Sequence, residues 1–245
     1  MGYYDYQQGL IYRHLRQGAG WNHHLGKTRA FILESINHCK PGAVTVLGSG
    51  WLLDLPLAEM SERVRDIYLV DVIHPPGVAE QVKKLGNISL MEMDITGGLI
   101  GEAWKRKKKY RVFKRDMKNE KISVPVFCPG FDTGLVISLN ILTQLEILPL
   151  RFLEKNTRVT GSELNDLRRE IQQKHLDFLA RRESVLITDT AEIFTDRQGN
   201  VSEKQSVIID LPGGARADSW IWNFDMKRTD FYRKRSVMKV VAILF

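Results

Sequence analysis

Two glycines and a series of acids at the ends of apolar runs set the chemistry this chain can attempt. Gly48-Ser49-Gly50 interrupts an apolar run (43–47, AVTVL), and the next such run, 67–70, closes on Asp71. Glycines in a turn of this kind let backbone N–H groups approach a ligand where a Cβ would stand in the way. An acid at the tip of the second run can accept hydrogen bonds from both hydroxyls of a ribose. Strand, glycine turn, helix, strand and acid is the order in which doubly wound α/β domains hold a nucleoside-bearing ligand. Asp94 follows a third run (88–93), Asn140 stands at the tip of a fourth (134–139), and Asp189 closes a fifth (185–188).

The histidines and cysteines are less informative. His23 and His24 are adjacent, so on a helix their side chains diverge by about 100° and no metal pair is expected. His74 follows the second run and is a candidate catalytic group. His175 shares the apolar stripe of Leu164, Leu167, Ile171, Phe178 and Leu179 and reads as a packed core histidine. Cys39 and Cys128 form neither metal spacing nor a disulfide framework.

These residues need a frame, and the chain alternates strand and helix signals. The opening 40 residues read as helical, with a turn at Gly18-Ala19-Gly20 and an apolar stripe of Leu25, Ile32, Leu33 and Ile36. Helices are expected at 52–63, with Pro56 near the first turn, and at 78–85. Thr160 and Glu163 form a capping box for a long helix after the fourth strand. Three β-like runs, 206–211, 220–224 and 237–245, fill the tail. The expected organisation is an N-terminal helical cap (1–40) and an α/β domain (41–245) with a basic insertion at about 102–121.

That insertion holds the whole charge excess. Residues 102–121 carry ten Lys or Arg against three Asp or Glu, which equals the net charge of +7 for the chain. Such a block reads first as a solvated helix or loop and second as a docking surface for a nucleic-acid backbone. No apolar stretch approaches the roughly 20 residues a bilayer requires, so no membrane partner is expected. The N-terminus lacks the order of a signal peptide, and Tyr6 stands where myristoylation wants Ser or Thr. The expected location is the cytoplasm.

Five βα steps followed by a β-rich tail resemble the class I S-adenosylmethionine-dependent methyltransferase family. Four motifs carry the resemblance: VLGSG (46–50), IYLVD (67–71), LMEMDIT (90–96) and GLVISLNILTQL (134–145). It implies a Rossmann-like, mostly parallel seven-stranded sheet in the order 3-2-1-4-5-7-6, with the last strand antiparallel. It also implies S-adenosyl-L-methionine as cofactor. Gly48, Ser49 and Gly50 would line its methionine part, Asp71 would take the ribose, and Trp51 and Val72 would also bind the cofactor. Asp94 with Ile95 would reach the adenine, and Asn140 would stand where the methyl group leaves. Two positions depart from the pattern. Val46 stands where the family usually has an acid, and Leu52 where it usually has a third glycine, so Leu52 and Trp51 are expected to narrow the pocket.

Methyl transfer from a sulfonium rests mainly on positioning, so no triad is required. Asn140, Gln144, His74 and the cap residues Trp21, Asn22, His23 and His24 are the candidate acceptor-facing groups. SLNI at 138–141 replaces the NPPY-like tetrapeptide of many base-amine methyltransferases, which favours a small-molecule substrate over nucleic acid. Two alternatives stand beside this reading. One is a non-catalytic nucleoside- or nucleic-acid-binding module. The other is an NAD(P)-dependent oxidoreductase, suggested by Tyr110-x-x-x-Lys114. That pair precedes the fourth strand instead of following it, and Leu53 occupies the dinucleotide fingerprint's third glycine position.

Overall fold

Apolar residues alternate between two faces along each central strand, and this dictates a sheet covered on both sides. The computed structural model describes residues 1–113, 122, 124–229 and 233–245. Its strands are β1 (Ala43–Leu47), β2 (Asp66–Asp71), β3 (Ile88–Glu92), β4 (Leu135–Leu139), β5 (Ser184–Thr195), β6 (Val201–Gln205), β7 (Arg216–Asp225) and β8 (Arg235–Leu244). Val44, Val46, Ile67, Leu69, Leu135, Ile137, Val185 and Ile187 enter one core, whereas Leu47, Val70, Val136 and Leu186 enter the other.

The sheet order is β3-β2-β1-β4-β5-β8-β7, with β6 paired to β5. Strands β1 to β5 are mutually parallel, and β8 runs antiparallel to both β5 and β7. This is the expected order with one strand added. The added hairpin arises because β5 continues past a register shift at Asp189/Ala191 and turns back as β6.

Helices α1 (Tyr3–Gln17) and α2 (Asn22–Cys39) are separated by a 3-10 turn, Gly18–Trp21. Phe31, Ile32 and Ile36 of α2 are built into the first core, so α2 is a layer of the body, and α1 alone lies across the strand ends. Between the strands run α3 (Leu57–Arg63), α4 (Val78–Val82), α5 (Leu99–Phe113), α6 (Ile147–Asn156) and α7 (Gly161–Leu179). Among the described residues, no helix is long and apolar enough to cross a membrane.

Three expected elements are corrected. The helix expected at 52–63 begins only at Leu57, because Leu52 is left-handed (φ 63°) and Pro56 disfavours helix at the residue before it. The helix expected at 78–85 ends at Val82. The run 206–211 is not a strand. Its backbone is held instead by α7: Arg168 and Gln172 donate to Ser206 O, Arg169 donates to Ile208 O, and Ile208 N–H donates to Gln172. Of the basic segment, residues 102–113 belong to α5, and residues 114–121, including Lys114 of the Tyr/Lys pair, lie outside the described residues.

The capping box is formed in both directions at the start of α7: Glu163 N–H donates to Thr160 Oγ1, and Thr160 N–H donates to the Glu163 carboxylate. Thr160→Ala is therefore expected to cost about 1 kcal/mol in urea unfolding. His175 packs in the second core with its Nε2 2.8 Å from Ser138 Oγ. Burial holds its pKa down at about 4, against an ordinary 6.5. The unfolded chain takes up this proton below pH 6.5 while the folded chain resists until about pH 4, so stability falls as pH drops through that window. Glu146, raised to about 7 by burial, works in the opposite sense. The clean measurement is therefore a difference. The stability advantage of wild type over His175→Gln should shrink by about 3 kcal/mol between pH 7 and pH 4.

Candidate functional site

β1 and β4 are neighbours, yet the chain leaves them toward opposite faces. After β1, Leu52, Leu55 and Met60 enter the first core; after β4, Leu142, Leu145 and Leu153 enter the second. This divergence opens a crevice at the carboxyl ends of the strands, the place where open α/β sheets bind ligands. Gly48 turns there with φ 83°, and its N–H donates to Val70 O at 2.9 Å. Asn140 stands opposite, itself left-handed at φ 51°.

Asp71 ties the glycine turn to the second strand. Its Oδ2 accepts from Gly50 N–H at 2.9 Å, and its Oδ1 accepts from Val72 N–H at 2.8 Å. Burial pushes this carboxyl above its ordinary range, while the backbone N–H groups and nearby His74 pull it back. An ionised carboxylate has about four acceptor sites, so capacity remains beyond these bonds.

The residues expected to bind a cofactor come together. Gly48, Ser49, Gly50, Trp51, Asp71 and Asn140 line a cavity of about 90 Å³. Asp71, Val72 and Ile95 line a second of about 30 Å³, with Thr96. Asp94 lines neither; its Oδ1 accepts the N–H and hydroxyl of Thr96, fixing the turn that carries Ile95. Gln144 borders both cavities and donates to Asn140 O at 2.6 Å.

Helix α1 accounts for there being two cavities instead of one cleft. Gln7 borders both, and its carbonyl accepts from the Trp51 indole N–H at 2.8 Å. Tyr3 and Tyr6 close the second cavity. Burial pushes the Tyr6 phenol up to about 12 and raises Tyr3 as well, with Asp94 and Asp71 adding to the latter. Ligand pockets measure roughly 300–1,000 Å³, well above either void. A nucleoside-sized ligand enters only if α1 shifts.

Asp54, Asn140, Trp21 and Trp222 of the first cavity join a polar and aromatic cluster. The Trp220 indole donates to His24 Nδ1 at 3.0 Å. An indole N–H can only donate, so the ring proton of His24 sits on Nε2, which faces Asp54 Oδ2 at 3.9 Å. Asn140 Nδ2 donates to the same Asp54 oxygen at 2.6 Å. His24 stacks on Trp222 (3.9 Å between centroids, 5° between planes), and Trp21 meets Trp222 edge-on at 4.8 Å.

Several expected participants are placed elsewhere. His74 lines neither cavity; its Nε2 lies 3.3 Å from Met91 O. Asn22 and His23 face solvent on α2, whereas Trp21 and His24 are buried, as adjacent helical positions require. Leu52 does not narrow the crevice. It packs into the first core, and only Trp51 reaches the lining. Val46 is fully buried between Leu69 and Ile137. None of Lys105 to Lys109 lines either cavity. Among the described residues, no group of three or more His, Cys, Asp or Glu gathers as metal ligands.

No family model matches the chain, and no curated protein matches it. Among solved structures, it is similar to a precorrin 8W decarboxylase of Methanobacterium thermoautotrophicum. That likeness covers 88% of each chain at 14% identity, with a TM-score of 0.28. At that level it assigns neither a fold nor a function.

Proposed function

We propose that the crevice between β1 and β4 binds S-adenosylmethionine on a Rossmann-like frame, and that the protein is an enzyme that passes the methyl group to a small molecule. One observation carries the reading: the glycine turn after β1 faces Asn140 after β4 at the sheet's switch point, with Asp71 clamped onto Gly50 N–H. The chain's own groups suit that ligand. A Cβ on Gly48 would sit 2.9 Å from both Leu139 O and Ile141 Cβ, so this turn must be glycine. Buried Ser49 Oγ, Tyr3 OH and Asn140 Oδ1 have no partner among the described residues and border the two voids. Asp71 would hold the ribose diol, Val72, Ile95 and Thr96 the adenine, and the 48–50 backbone the amino-acid end. The cofactor supplies an electrophilic methyl; the protein's part is to orient the acceptor and exclude water.

A second reading has one observation in its favour. Gln7, Tyr3 and Tyr6 of α1 fill the cleft, as in a non-catalytic module sealed by its own first helix. Calorimetric titration with S-adenosylhomocysteine, with NAD as the paired control, separates the two. The methyltransferase reading expects micromolar binding of the first and none of the second. Binding of neither overturns it in favour of the sealed module, and binding of NAD alone favours an oxidoreductase.

A further inference from the structure

The cavity beside Asn140 has a definite chemical character. Its charged lining residues are Asp54 and Asp71, with no Lys, Arg or His among them. Three indoles, Trp21, Trp51 and Trp222, also line it. A wall of carboxylates and aromatic faces repels anions and attracts organic cations, through charge and through the ring quadrupole.

Asp54 is oriented for a ligand. Its Oδ2 is held by Asn140 Nδ2 at 2.6 Å and faced by His24 Nε2, while its Oδ1 has no hydrogen bond among the described residues. Its side chain is 18% exposed. The bond from Asn140 also fixes that amide's orientation, because the flipped form would set two acceptor oxygens at the same 2.6 Å. Asn140 Oδ1 therefore points away from Asp54. It is a buried acceptor with no partner among the described residues, in a residue only 8% exposed. The Trp222 indole N–H and Ser49 Oγ, also without partners among the described residues, leave room for a polar group on the ligand, and the Asp54 carboxylate with the aromatic walls sets the preference for positive charge.

We infer that this cavity is a subsite for a small protonated amine, with Asp54 and Asn140 Oδ1 taking its N–H groups and Trp21 and Trp222 flanking its carbons. The cation site stands on its own geometry; that the amine is the methyl acceptor rests on the proposed function. In that case nitrogen gives a proton to the Asp54 carboxylate, its freed lone pair bonds the methyl carbon, and the C–S electron pair stays on sulfur. A cavity of about 90 Å³ admits only a small head group.

The test titrates n-propylammonium, n-propanol and propionate into the full-length protein, with and without saturating S-adenosylhomocysteine, following tryptophan fluorescence. Propylammonium is expected to bind at least tenfold tighter than the other two. Asp54→Asn, which keeps an acceptor for Asn140, should erase that preference. Trp222→Leu, with Asp54 intact, should lower propylammonium affinity severalfold. Equal binding of the three probes, or a preference for propionate, overturns the cation site even if S-adenosylhomocysteine binds. A propylammonium preference without S-adenosylhomocysteine binding supports the cation site and overturns the methyl-transfer reading alone.

Discussion

Asp71→Ala is expected to weaken S-adenosylhomocysteine binding at least tenfold and to lower folding stability by about 2 kcal/mol. Both effects come from one carboxylate. Removing it takes away the group assigned to the ribose diol, in the range of about 1.5–3 kcal/mol for hydrogen bonds to a charged acceptor. It also strips the acceptor from the N–H groups of Gly50 and Val72. Asp71→Asn keeps one acceptor oxygen for these two donors, so it should lie between wild type and alanine in both measurements. The pH dependence follows from burial. Binding a diol needs the ionised carboxylate, and burial raises this group above its ordinary 3.8. Affinity should therefore fall on acidification from a higher pH than a surface Asp would set, and this fall should be missing in Asp71→Asn. Unchanged affinity in a folded Asp71→Ala protein would remove the ribose assignment.

The parts of the site legible in the sequence are those that depend on short spacings. Apolar runs ending in Gly48, Asp71 and Asn140 placed three residues at strand ends, and parallel pairing of β4-β1-β2 then brings them together. Trp220, Trp222 and Phe224 recur at every second residue, so the strand β7 and its buried face were readable as well. Asp54 was not. It sits in a stretch with helical composition, and it reaches Asn140 because Leu52 takes a left-handed turn that leucine does not announce. The partnership of His24 with Trp220 spans 196 residues and has no local signature. Gln7 gave no signal either: a polar residue in the middle of an amphipathic helix reads as a solvated face. The run 206–211 misled for a related reason. Its β-branched residues favour a strand, but guanidinium and amide groups on α7 offered its backbone a different set of partners.

Gly48→Ala should do more damage than any other single methyl group added at the crevice. The position has φ 83°, where an L-residue is strained by about 1–2 kcal/mol. The new Cβ would also lie 2.9 Å from Leu139 O and from Ile141 Cβ. A carbonyl at the end of a central strand cannot swing aside as a surface side chain can, so β1 and β4 must separate at their tips, at an overpacking cost of about 1–3 kcal/mol. The sum is about 3 kcal/mol, a fall in Tm of roughly 6–12 °C for a domain of this size. Separation at this point also moves Asn140, and with it the hydrogen bond to Asp54, so cofactor affinity and cation preference should fail together. Gly50→Ala is the internal control. Its φ of 47° lies in the same region, but its Cβ would meet only the Gln7 amide at 3.6 Å. It should cost about 1 kcal/mol of strain and act on the seating of α1 without parting the strands. If thermal melts show Gly48→Ala as mild as Gly50→Ala, the tips of β1 and β4 do not approach as closely as the site requires.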